Sequence, residues 1–118
     1  MHPSLRPIRK IEELDVLLAA DGPVVLFKHS YTCGVSAEAL DELVGHLDQD
    51  GAAGARYAII TVQTDRVLSN AVAQRFGIRH ETPQVLLIRN GRVLWSATHF
   101  RVTANAVRAA LSSHLAAL

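Results

Sequence analysis

The chain has 118 residues, 49% hydrophobic and 19% charged, which suits one domain with a real core and rules out a disordered tail. Twelve Lys and Arg against eleven Asp and Glu leave a net charge of +1, and no aromatics interleave with the scattered arginines, which argues against nucleic-acid binding. Apolar runs far below the about 20 residues of a membrane span exclude that class, and one cysteine excludes an intrachain disulfide and a self-contained thiolate zinc cluster.

In chain order, residues 1–9, with Pro3 and Pro7, read as a loose arm; M-H-P-S-L-R-P-I-R-K holds no apolar signal region, so a cytoplasmic location is expected. Ile11, Leu14, Leu17 and Leu18 with early acids Glu12 and Glu13 predict a short helix, stopped by Asp21-Gly22-Pro23. Val24–Phe27 is a strand of the kind buried on both faces. Apolar positions from Ala37 to Leu47, three and four apart, predict a helix opening at Cys33 or Gly34 and running to about Asp50. After the flexible Gly51–Gly54 stretch, Tyr57–Val62 is a strand and Val67–Phe76 a helix ended by Gly77. Val85–Ile88 and Val93–Trp95 flank Asn90-Gly91, a strong hairpin signal, since a type I′ turn needs positive φ at both positions. Thr103 is a good N-cap for a last helix over Ala104–Leu115. This order predicts an α/β fold of the thioredoxin-like kind, a central mixed four-stranded sheet with helices on both faces.

In such a layout, an antiparallel pairing of the Val85 strand with Val24–Phe27 brings Cys33, Thr82-Pro83 and Thr98-His99 to one edge. Lone cysteines are commonly small buried hydrophobes. Cys33, however, follows a buried strand, has polar Thr32 before it and opens a helix, where the dipole and free N–H groups favour thiolate over thiol. Lys28 or His29 could add positive charge. Ser36 sits where a dithiol redoxin has its second sulfur; its hydroxyl can donate to a thiolate but cannot resolve a mixed disulfide. A cis peptide is expected at Thr82-Pro83, leaving the Thr82 backbone free to pair with an incoming thiol substrate. His2, His46 and His114 are expected at the surface, Trp95 half-buried, and no metal site is assigned. Arg79, His80, His99 and Arg101 could form a basic rim for an acidic small thiol.

The string F-K-H-S-Y-T-C-G-V-S, with H-E-T-P-Q and W-S-A-T-H further on, resembles the monothiol bacilliredoxins of the YtxJ type, over about Phe27 to Val102. That resemblance implies a thioredoxin-like fold and removal of bacillithiol, or a similar low-molecular-weight thiol, from mixed disulfides on cytoplasmic proteins. It implies Cys33 as the catalytic residue, with Thr32, Gly34, Ser36, Thr82, Pro83, Thr98 and His99 binding substrate. No cofactor is implied beyond a low-molecular-weight thiol as cosubstrate; the partners are S-thiolated proteins and an unidentified reductase. Gly34 stands where the family usually has proline, and Phe27 where thioredoxins bury an aspartate. C-G-V-S is also similar to the C-G-F-S of monothiol glutaredoxins, which hold a [2Fe–2S] cluster with glutathione, although their glycine pair and G-C-D segment are absent. Cluster binding and a redox-inactive interaction module stay open as alternatives.

Overall fold

The strands are β1 (Leu5–Pro7), β2 (Val24–His29), β3 (Arg56–Thr61), β4 (Gln84–Arg89) and β5 (Arg92–Thr98), and the helices α1 (Ile11–Ala19), α2 (Gly34–Asp50), α3 (Arg66–Phe76) and α4 (Ala104–Leu115). A computed structural model describes residues 2–52 and 54–115 of the chain. Among these residues the strands form one mixed sheet in the order β1-β3-β2-β4-β5. β2 runs parallel to β3 and antiparallel to β4, and β4 and β5 form the hairpin. Asn90 and Gly91 have φ of 53° and 73°, the pair of positive values a type I′ turn requires.

The sheet has five strands, not the expected four, because the supposed arm is partly a strand. Leu5 pairs with Tyr57 and Pro7 with Ile59, parallel to β3. Three positions apart on an extended chain, Leu5 and Ile8 face opposite sides, and each is buried in a different half of the core. Proline disguised this element. An edge strand needs no donor on its outer side, so Pro7 is tolerated there.

Alternation along β2 builds both layers. Val25 and Phe27 pack under Ala39, Leu43 and Leu47 of α2 and Val107 and Ala110 of α4. Val24 and Leu26 pack under Leu14 and Leu17 of α1 and Leu68 and Val72 of α3. Burying one such side chain stabilises the fold by about 1.5–3 kcal/mol. The helix ends follow local chemistry. Thr103 Oγ1 accepts from the Ala106 N–H at 3.0 Å, Glu42 Oε1 accepts from the Ala104 N–H at 3.0 Å, and Gly77 closes α3 with φ of 62°.

His46, expected at the surface, is buried on the inner face of α2. Its Nδ1 lies 2.9 Å from Asp50 Oδ2 and its Nε2 2.7 Å from the Tyr57 hydroxyl, and Arg108 Nε donates to the same Asp50 oxygen at 2.6 Å. His46 shares the core-facing side of α2 with Leu43 and Leu47, and the phenol at the start of β3 supplies the hydrogen-bond partner that offsets its burial. Trp95 is half-buried against the α2 side of the core.

Candidate functional site

Pairing register determines what meets at one end of the sheet. His29 at the end of β2 pairs with Thr61 at the end of β3; Lys28 pairs with Gln84 at the start of β4; and Gln84 pairs with Thr98 at the end of β5. The loop carrying Thr32 and Cys33, the Thr82-Pro83 step and the Thr98-His99 step therefore leave the sheet at the same end. Thr82-Pro83 is a cis peptide. Pro83 is buried, and its carbonyl accepts from the His99 N–H at 3.0 Å, which ties the proline loop to the end of β5. His99 adopts φ of 54°, an uncommon left-handed conformation for a side-chain-bearing residue, and opens the 3-10 turn through Arg101. Thr82 makes no backbone hydrogen bond to other described residues, so its N–H and carbonyl are unspent.

Cys33 is the N-cap residue of α2, half-buried, with extended backbone (φ −112°, ψ 121°); its carbonyl accepts the first helical bond from the Ala37 N–H at 3.1 Å. The thiol thus sits at the positive end of a 17-residue helix. Gly34, the first helical residue, is exposed, and a Cβ there would meet nothing within 4 Å.

The loop before Cys33 is held by a residue that sequence reasoning missed. Gln63, just past β3, donates from Nε2 to Ser30 Oγ at 2.6 Å and Thr32 Oγ1 at 3.1 Å, and its Oε1 accepts from the Tyr31 N–H at 3.3 Å. One amide therefore holds three consecutive loop residues. No local signal marks such a glutamine; only the parallel β2–β3 pairing brings it there.

Ser36 is buried one turn into α2. Its Oγ accepts from the Ser30 N–H at 3.0 Å and lies 2.8 Å from His29 Nδ1. The hydroxyl expected to donate to Cys33 is committed to the loop and to His29 instead. Burial pushes the His29 imidazole below its usual range, so it is neutral near pH 7 and supplies no charge. Lys28 supplies none to Cys33 either. The β2 pleat turns its side chain to the α3 face, where Nζ donates to the Ser69 carbonyl at 2.8 Å and lies 3.2 Å from His80 Nδ1. Burial lowers Lys28 to about 8, and burial, then the charges of Lys28 and Arg66, lower His80. His80 is accordingly a neutral acceptor for an ammonium. Among the described residues no group of three His, Cys, Asp or Glu side chains could hold a metal ion, and no helix is long and apolar enough to cross a membrane.

A family model described as monothiol bacilliredoxin BrxC matches residues 6–107. The chain belongs to the monothiol bacilliredoxin family. Members of that family are thioredoxin-fold oxidoreductases with one cysteine, as here, and family membership implies bacillithiol-related substrates. Among solved structures, one described as an oxidoreductase with a thioredoxin fold is 25% identical, with a TM-score of 0.82 over 91% of this chain and 93% of its own. Thioredoxin from Trypanosoma brucei brucei is 12% identical, with a TM-score of 0.79 over 98% of this chain and 95% of its own. Thioredoxin from Malassezia sympodialis is 18% identical, with a TM-score of 0.76 over 96% of this chain and 92% of its own. The two thioredoxins establish the fold alone.

Proposed function

We propose that the protein is a monothiol thiol-disulfide oxidoreductase that removes bacillithiol, or a similar low-molecular-weight thiol, from mixed disulfides on cytoplasmic proteins. The observation that carries this reading is the placement of the chain's one cysteine, half-buried at the N-terminus of α2 on the sheet end that also holds cis-Pro83. The Cys33 thiolate attacks the sulfur of the small thiol in the mixed disulfide. That disulfide bond breaks, the target protein leaves as its thiolate, and Cys33 keeps the small thiol as a new mixed disulfide. With Ser36 in place of a second thiol, a second small thiol or a separate reductase must attack this adduct. Thr82 offers backbone N–H and carbonyl groups to an extended substrate segment beside the disulfide.

The test uses a bacillithiolated protein and intact mass. The wild-type chain should strip the adduct and gain its mass on Cys33. Cys33→Ser, a nearly isosteric change, should keep the fold and lose the reaction. Full activity in Cys33→Ser would refute the reading.

A further inference from the structure

Of the three phenylalanines, Phe27 is fully buried and Phe76 packs against the core, whereas Phe100 is 73% exposed. A single exposed ring is ordinary. This one, however, borders a groove of about 350 Å³ between α2 and the His99–Arg101 turn. Val35, Ala39 and Val102 give the groove an apolar lining, and its α2 side carries Glu38, Asp41 and Glu42. Glu42 accepts from the Ala104 N–H, while Glu38 and Asp41 make no salt bridge to other described residues. No lysine or arginine lines the groove.

The groove begins beside the cysteine. Val35 lies two residues past Cys33 in the first turn of α2, and His99, also in the lining, donates its N–H to the Pro83 carbonyl at 3.0 Å. At 1.5 Å per helical residue, Glu38 stands about 8 Å and Glu42 about 14 Å along α2 from Cys33. An extended segment rises about 3.3 Å per residue, so these carboxylates match positions about two to four residues from a substrate cysteine held at Cys33. Charge and shape together select the side chain that fits. Lysine and arginine have an apolar stem and a cationic head. The stem can cover Phe100 and the apolar lining, and the head can reach Glu38 and Asp41; an acidic segment would meet three carboxylates and no Lys or Arg.

We infer that this groove docks the protein half of the mixed disulfide and selects targets with lysine or arginine about two to four residues from the thiolated cysteine. The inference rests on the proposed de-thiolation and adds a target preference to it. The four residues expected as one basic rim are divided instead. His80 is turned to Lys28, His99 lines this acidic groove, and Arg79 and Arg101 line a separate one.

The test uses three peptides with the same bacillithiolated cysteine, flanked on both sides, two and four residues away, by lysine, alanine or glutamate. Wild type should show kcat/KM about five- to tenfold higher for the lysine peptide than for the alanine peptide, with the glutamate peptide slowest. Added salt should compress the series. Glu38→Gln/Asp41→Asn should bring the three peptides within about twofold of one another, and Phe100→Ser should raise KM for all three. In a second arm, serine-for-cysteine peptides, which cannot exchange disulfides, are titrated into the wild-type chain. The backbone amide signals of Val35, Glu38 and Phe100 should shift with the lysine peptide and stay in place with the glutamate peptide. Equal rates across the series, a preference that survives Glu38→Gln/Asp41→Asn, or no amide shift would overturn the docking groove. So would a wild-type dimer that Phe100→Ser makes monomeric, which would give the groove to a second copy of the chain. A wild-type chain that strips none of the peptides would instead refute the proposed reaction, and the titration would still decide the groove.

Discussion

Lys28→Met offers the sharpest test of the electrostatics beneath the site. The wild-type ammonium is fully buried, with the Ser69 carbonyl and His80 Nδ1 as its neighbours and no carboxylate bonded to it. Burial lowers its pKa from 10.5 to about 8. At about 1.36 kcal/mol per pH unit, that difference destabilises the folded state by about 3 kcal/mol whenever the lysine is charged in both states. The penalty is present in full below about pH 8 and is relieved as the pH rises toward 10.5. Methionine fills a similar volume and carries no charge, but the lost donor costs about 1–3 kcal/mol at every pH. The stability difference, wild type minus variant, should therefore move by about 3 kcal/mol in favour of wild type between about pH 7 and pH 10.5. Near pH 7 the variant should be equal or slightly more stable. Urea unfolding followed by the fluorescence of Trp95, the single tryptophan, measures this directly. Few groups interfere, since Lys10 is the chain's other lysine. Tyr57, raised to about 12 by burial and then by Asp50, affects both proteins alike. A difference that stays flat across this window would refute the desolvation argument.

Other consequences are simpler. Gly34→Pro should fit, because a Cβ there meets nothing and Cys33 already has the extended backbone a pre-proline residue prefers; a gain of about 0.4–1 kcal/mol should raise the melting temperature by roughly 2–5 °C. Gln63→Ala frees three loop residues and should slow de-thiolation by about three- to tenfold in kcat/KM, with little change in stability. Tyr57→Phe leaves His46 Nε2 buried without its donor and should cost about 1–3 kcal/mol by urea unfolding. Because Tyr57 lies at the opposite end of the sheet from Cys33, the de-thiolation rate of that variant should be unchanged.

Much of the fold was legible because its signals are local. Val24–Phe27 and Val85–Ile88 are short continuous apolar runs, and both are buried on two faces. Asn90-Gly91 and Thr103 act through their own backbones, and the structure places the turn and the cap at those residues. What escaped depends on contacts between distant segments. β1 exists only because β3 offers it an edge, and its prolines argue locally for a loop. His46 is polar in sequence and buried in space, since Tyr57 and Asp50 satisfy both ring nitrogens. At the candidate site, Cys33 and cis-Pro83 could be placed from helix and strand order. The side-chain directions of Lys28, His29 and Ser36 could not, because a strand's pleat assigns Lys28 and His29 to opposite layers and only packing shows which layer holds α2. Gln63 had no sequence signal at all.

That arrangement behind Cys33 leads to a further prediction, Ser36→Cys. The wild-type hydroxyl receives the Ser30 N–H, so its own proton is free to go to His29 Nδ1, an imidazole that burial keeps neutral and therefore able to accept it. A thiol at position 36 inherits both partners: an N–H donor for its sulfur and a base for its proton. It also stands three residues after Cys33 on the same helix face, within reach of the adduct that the proposed reaction leaves on Cys33. Attack on that adduct would expel the small thiol and leave a disulfide between Cys33 and the introduced sulfur, a step the wild-type chain must assign to another molecule. The larger sulfur in a fully buried position should cost about 1 kcal/mol or more. Quenched intact mass spectrometry should show the small-thiol adduct short-lived in Ser36→Cys, replaced by a species that has lost two hydrogens, and persistent in wild type. Adding His29→Asn to Ser36→Cys should restore much of the adduct's lifetime. An adduct equally long-lived with serine or cysteine at position 36 would mean that the pocket under Cys33 does not present a sulfur to it, and the positioning assigned to His29 and Ser30 would be wrong.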